Sequence, residues 1–319
     1  MEKINFDKKI PIVVKKIKNH NYEKINYGYQ NHISYSQLSM YSQCPKKWHL
    51  NYVEDHKISE QSIHMTFGTA MHETIQHYLD IMYEKSGAEA DRIDLEGYFE
   101  EKMREYYRKD YEKNKCNHFS TSEELREFYE DGINILTAFK KNKRKYFSKR
   151  GWYLVGCEVP IIISPNTRIN NVRYMGYLDV VLYHEPSNTF TIIDIKTSTK
   201  GWNHYAKKDE MKQFQLILYK KFFSEQYDIP IKDIDVEFFI VKRKIWEESE
   251  YNISRIQQFK PAAGKVKLNK AVNTLNKFLN EAFNLDGSFK DRIFNPVPSK
   301  WNCTYCPFAN RKDLCKEGY

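Results

Sequence analysis

No stretch of about 18 consecutive apolar residues occurs in the chain, so no membrane-spanning helix is expected. The opening residues, MEKINFDKKIPIVVKKIKNH, lack the apolar core of roughly 7–15 residues that a secretory signal needs, and a cytoplasmic location without membrane partners is expected. In that compartment the six cysteines read as ligands or free thiols rather than disulfides. There is no G-x-x-x-x-G-K-[ST] phosphate loop, which excludes a built-in nucleotide-driven motor of that type. No helix-turn-helix or other base-reading motif is visible, and no internal repeat.

What is present is positive charge. The 51 Lys and Arg outnumber the 42 Asp and Glu, for a formal net charge of +9 and a pI near 9.0. That balance favours an anionic partner, nucleic acid first. Aromatics make up 15%, with 24 Tyr, so a sizeable core is feasible despite a mean hydropathy of -0.74. The 319 residues suit one large domain or two small ones.

The segment GYLDVVLYHEPSNTFTIIDIKTS, residues 176–198, reads as two apolar strands around a Glu-Pro-Ser-Asn turn. With His184 opposite Thr189, counting outward puts Asp179 opposite Asp194, where Cβ atoms on one face lie roughly 4.5–5.5 Å apart. Lys196 shares that face, and Leu178, Val180, Leu182, Ile193 and Ile195 form a core face. Facing buried carboxylates repel, so positive charge must compensate. Lys196 supplies some. A divalent cation would supply more, and oxygen ligands suit Mg²⁺ or Mn²⁺. A purely structural Asp–Lys–Asp ion cluster is the competing reading.

Residues 1–30 read as a polar, basic extension. Ser34 or Ser36 caps a helix through QLSMYSQCPKKWHLNYV, and a second helix in TFGTAMHETIQHYLDIMYEK carries the stripe Phe67, Met71, Ile75, Leu79 and Met82. Residues 92–114 and 121–149 read as two charged helices. WYLVGCEVPIII is strand-like, Asp209 caps a helix through EMKQFQLILYKKFF, DVEFFIVKR is a strand, and 264–284 is a helix. This order predicts an α/β sheet domain with a helical insert.

The tail motif CTYCPFANRKDLC spaces Cys303, Cys306 and Cys315 as C-x2-C-x8-C. The C-x-x-C pair can chelate one metal or cluster. Three ligands are one short. Cys44 is the best fourth, with Cys116 and Cys157 as alternatives, Cys157 being in a predicted strand where a small buried thiol is ordinary. Zinc and an iron–sulfur cluster share this spacing.

Six motifs now stand in order, and together they resemble the RecB-like nucleases of the PD-(D/E)XK superfamily. The resemblance is to the iron–sulfur branch, which includes the AddB nuclease domain and the CRISPR-associated RecB-like exonucleases. SYSQLSMYSQCPKKWHLNYV resembles the first helix with the first cluster cysteine, Cys44. FGTAMHETI resembles the histidine motif and implies His72 as a metal ligand; GYLDVV gives Asp179, and IIDIKTS gives Asp194 and Lys196. QFQLILYKKFF resembles the Q-x-x-x-Y motif, giving Gln215 and Tyr219, which share a helix face. The closing cysteine triplet is the sixth.

The resemblance implies a restriction-endonuclease-like α/β core, a mixed central sheet flanked by helices. It implies a helical insert at 73–150, a catalytic core at 151–245 and a cluster-binding tail at 295–319, all within one nuclease domain, 31–319, behind the extension 1–30. A 4Fe-4S cluster on Cys44, Cys303, Cys306 and Cys315 would join the two ends, zinc being the lesser candidate. The implied reaction is metal-dependent hydrolysis of DNA phosphodiesters with little sequence specificity, by an exonuclease or end- or flap-processing enzyme rather than an endonuclease. His72, Asp179, Asp194 and the Ile195 carbonyl would hold Mg²⁺ or Mn²⁺, with Lys196, Gln215 and Tyr219 assisting and Glu158 in support. Recombination, repair, phage DNA metabolism and CRISPR adaptation are the settings implied, with a helicase, recombinase or CRISPR adaptation protein as partner. A DNA-end-binding subunit that uses the fold as a clamp is the alternative. Lys140, Lys141, Lys143, Arg144 and Lys145, and Lys242, Arg243 and Lys244, are candidate phosphate contacts or simply solvated faces.

Overall fold

The structure, a computed structural model, describes residues 10–22, 24, 30–56, 61–246 and 253–317. The rest of the basic extension, 1–9, 23 and 25–29, lies outside the described residues. Within the extension, α1 (Ile12–Lys18) buries Val14 and Ile17 in the core. After β1 (Asn31–Ile33), the first predicted helix is in fact two. Ser34 caps α2 (Tyr35–Gln43), accepting from Gln37 N, and α3 (Pro45–Tyr52) follows. Pro45 causes the break: its ring disfavours a helical residue before it, and Cys44 is extended at φ -157°, ψ 105°.

The long α4 (Ile63–Glu84) buries the predicted stripe from Phe67 to Met82. Next come α5 (Gly87–Arg92), α6 (Leu95–Lys113) and α7 (Ser122–Tyr146), the last opened by a reciprocal cap between Thr121 and Glu124. The strands β2 (Trp152–Ile163), β3 (Val172–His184) and β4 (Thr189–Ser198) follow. They lead to α8 (His204–Lys208) and to α9 (Glu210–Tyr227), capped by Asp209. The chain ends through β5 (Ile234–Lys242), β6 (Ile256–Phe259), α10 (Lys265–Ala282) and α11 (Lys300–Cys303).

The sheet is six-stranded and mixed. Its hairpin has the register that the turn implied: His184 pairs with Thr189, and Asn188 closes the turn at φ 51°, a left-handed conformation that asparagine tolerates. β4 and β5 are parallel, which requires the crossover that α8 and α9 provide. β2 borders β3 from His184 down to Tyr174. The other edge of β3 is divided: β4 pairs with 180–184 and β1 with 172–174. Between them, among the described residues, 175–179 have no strand alongside.

Both sheet faces are covered, and Leu178 parts from the other four residues of the expected core face. Leu178, Val181 and Ile192 belong to a core with Leu216 and Phe222 of α9 and Leu275 of α10. Val180, Leu182, Ile193 and Ile195 belong to a second core with Ile75 of α4, Phe99 of α6 and Phe139 of α7. A parallel crossover puts helices over a sheet, so such strands are apolar on both faces.

Much of the clustered positive charge has internal partners. Arg243 Nη1 lies 2.7 Å from Asp131 and 2.9 Å from Glu127, and its guanidinium sits 4.0 Å above the Phe128 ring. Lys244 Nζ is 2.8 Å from Glu127 and 3.0 Å from Asp131. The 242–244 run thus fastens the end of β5 to α7, and Lys242 lies along Gly201. In the other run, Lys143 pairs with Asp91 at 2.6 Å and Lys140 donates to the Asp91 carbonyl at 3.1 Å. Lys145 lies over the Tyr146 ring, while Lys141 and Arg144 are exposed.

Arg243→Ala should cost roughly 2–4 kcal/mol in urea unfolding, because Asp131 is buried and, among the described residues, only Lys244 remains to pair with it. Alanine at Lys141 and Arg144 should leave the midpoint in place. A loss at Arg243 no larger than at those exposed positions would show that the Arg243 cluster is only a solvated face.

Candidate active site

The hairpin ladder ends at Val180 and Ile193. One step further, the Asp179 side chain replaces a backbone acceptor: its Oδ2 takes the Ile195 N–H at 2.7 Å. This brings Asp179 beside Asp194 where β3 and β4 separate. Asp194 is only 2% exposed. Its Oδ2 lies 2.7 Å from Lys196 Nζ, yet among the described residues it has no well-aligned hydrogen-bond donor. Two glycines let neighbouring elements approach. A Cβ on Gly176 would stand 2.7 Å from the Tyr219 ring, and one on Gly68 of α4 would stand 3.2 Å from Thr197 Oγ1.

His72, on α4, places Nδ1 3.4 Å from Asp179 Oδ2, beside the Ile195 backbone. One turn on, Gln76 Nε2 donates 2.7 Å to Glu158 Oε1 and 2.9 Å to the Asp179 carbonyl. Sequence reasoning did not name Gln76, although its spacing of four from His72 puts both on one helix face. Glu158 sits inside β2 at φ 52°. Such a conformation is strained for glutamate and persists where surroundings enforce it, often at functional sites. On α9, Gln215 donates to the Tyr219 hydroxyl at 3.4 Å, and Tyr219 packs on Gly176.

Burial dominates the electrostatics. It pushes Asp179 up to about 7, against Lys196 and the Ile195 N–H. It pushes Asp194 up to about 6, against Lys196 and helped by Asp179. Burial would lower Lys196, but the two carboxylates outweigh it and hold the ammonium. His72 falls to about 4, through burial and then Lys196, so its imidazole is neutral at neutral pH. Among the described residues, no three His, Cys, Asp or Glu side chains converge closely enough to hold a metal. The donor chemistry still fits a hard divalent cation: two buried carboxyls, one with an oxygen lacking an aligned donor, beside a neutral imidazole.

Cys44, Cys303, Cys306 and Cys315 line one small cavity, and Val297 N–H donates to Cys44 Sγ at 3.5 Å. All six cysteines are free. Cys157 is elsewhere, beside Asp80 with its thiol pushed up by burial, and Cys116 is exposed.

The raised carboxyls have a consequence for stability. A carboxyl with a folded pKa above its unfolded value near 4 favours folding while protonated, so that contribution is lost as pH rises from about 4 through about 7. His72 works oppositely: its contribution is lost as pH falls below its ordinary range towards about 4. In metal-free buffer, Asp179→Asn should therefore gain in melting temperature over wild type as pH rises from about 4 to about 8, His72 being common to both. A pH-independent difference would mean that Asp179 ionises as freely folded as unfolded.

No curated protein matches the chain in sequence. Among solved structures, one described as "Putative exonuclease" from Eubacterium rectale is similar over 81% of this chain and 84% of its own, at 12% identity and a TM-score of 0.44. That likeness is too loose to add to the reading. The model of the PD-(D/E)XK nuclease superfamily, by contrast, matches residues 32–311, a span that contains His72, Asp179, Asp194 and Lys196. By that match over most of its length, the chain belongs to the PD-(D/E)XK nuclease superfamily.

Proposed function

We propose that the chain is a metal-dependent deoxyribonuclease, an exonuclease or end- or flap-processing enzyme with little sequence preference. The observation that carries this reading is the meeting of Asp179, Asp194 and Lys196 where β3 leaves β4, with His72 of α4 against them. Asp179, Asp194, His72 and the Ile195 carbonyl would hold Mg²⁺ or Mn²⁺. Such an ion, when bound, lowers the pKa of a water and stabilises negative charge on the reacting phosphate. Lys196, kept charged by both carboxylates, neutralises the scissile phosphate and orients the attacking water. Gln76 holds Glu158 at the mouth of the site, and Gln215 with Tyr219 backs the strand at Gly176.

The four cysteines are read as ligands of a 4Fe-4S cluster in the same proposal. What supports this is that residues from the α2–α3 junction and from the C-terminal tail line a single cavity, while Cys116 and Cys157 are elsewhere. Thiolate ligation there would fasten the two ends of the domain together.

End-labelled single- and double-stranded DNA should be degraded with Mg²⁺ or Mn²⁺ and left intact in EDTA. Asp194→Ala and Lys196→Ala should each lower the rate by about 100-fold or more while leaving the fold cooperative. Near wild-type cleavage by either purified variant would remove these residues from the site.

Anaerobically purified protein should contain iron and sulfide, lost in Cys44→Ser and Cys303→Ser but kept in Cys116→Ser and Cys157→Ser. Zinc in place of iron would overturn the cluster, and iron retained without Cys44 would overturn the ligand set.

A further inference from the structure

A cavity of about 610 Å³ lies between α6 and α7, outside the site described above. Its size falls within the range of roughly 300–1,000 Å³ typical of small-ligand pockets. The floor is apolar, from Met103 and Leu125. Tyr107, Tyr111 and Tyr129 supply aromatic walls. His118, from the connection between the helices, fixes two of them: its Nδ1 is 3.1 Å from the Tyr107 hydroxyl, and its ring lies 4.8 Å from that of Tyr111. Three arginines stand around the cavity against one acid. Arg104 is paired with that acid, Glu100, at 2.7 Å. Arg108 and Arg126 are exposed and have no ion-pair partner among the described residues. They differ in this from Arg243, Lys244 and Lys143.

The helix α6 that lines the cavity also contacts α4, the helix that carries His72. Glu73 of α4 follows His72 directly, and it is held by α6 through Lys102 at 2.7 Å, Tyr98 at 3.0 Å and Tyr106. Tyr98, Lys102 and Tyr106 occupy the helix face next to the one bearing Met103 and Tyr107.

We propose that this cavity receives a base from a single-stranded stretch of DNA, stacked on Tyr111 and its neighbours, while Arg108 and Arg126 take the adjoining phosphates. An apolar slot with aromatic faces suits a base, and unpartnered guanidinium groups at its rim suit a phosphodiester. Duplex ends offer no free base faces except the terminal ones, so the pocket selects unpaired strand. The proposal rests on the nuclease reading for its substrate, and binding and cleavage are measured separately for that reason.

The test is fluorescence anisotropy of the full chain in EDTA, with labelled oligo-dT and with a blunt duplex of equal length. Wild type should bind the single strand more tightly. Arg108→Ala with Arg126→Ala should weaken single-strand binding at least ten-fold and reduce the salt slope by about 1.4, at about 0.7 for each phosphate contact on a single strand. Tyr111→Ala should weaken it roughly ten-fold, and Tyr111→Phe, which keeps the stacking face, should restore it. Melting temperatures check that the variants are folded. Equal binding of single strand and duplex by wild type, or unchanged binding by the variants, overturns the proposal. With Mn²⁺ added, pocket-dependent binding without any cleavage supports the pocket and removes the nuclease reading instead.

Discussion

The hydrogen bond from the Ile195 N–H to Asp179 Oδ2 is the interaction around which the rest of the site is arranged. In an uninterrupted antiparallel ladder that N–H would face a backbone carbonyl. Here a carboxylate takes it, and the two strands separate. The separation leaves 175–179 without a strand on one side and creates the opening into which α4 and α9 bring side chains. A buried amide without an acceptor would be costly, so the aspartate satisfies the backbone at the point where the ladder ends. The same carboxylate contributes to the charge that keeps Lys196 protonated.

The helices are held to this opening by contacts that tolerate little extra volume. Gly68 brings α4 to Thr197, and Gly176 accepts the ring of Tyr219. Gln76 ties α4 to β2 through Glu158 and to β3 through the Asp179 carbonyl. Glu73 ties α4 outward to α6. One helix thus faces the candidate active site on one side and braces the helical layer on the other.

Charge is distributed more selectively than a net value of +9 implies. Arg243, Lys244 and Lys143 pair with acids on α7 and α5, while Lys141 and Arg144 of the same runs are exposed. Among the described residues Arg108 and Arg126 have no such partners, and both are exposed. What differs is whether an acid lies opposite, and that acid comes from elsewhere in the chain.

The sequence by itself determined whatever depends on neighbours along the chain. The turn and the alternation set the hairpin register, so Asp179, Asp194 and Lys196 could be placed together, as could the cap at Asp209 and, as one of two candidates, the cap at Ser34. Local signals also bounded β2 and the buried stripe of α4. The break at Cys44 was legible in Pro45, though the periodic pattern across it read as one helix. Tertiary structure alone decided the burial of both hairpin faces, the partnership of Gln76 with Glu158 and the inward turn of Arg243. Each of these joins segments distant in the chain. Their meeting depends on how helices cover the sheet, and periodicity within one segment carries no information about what packs against it.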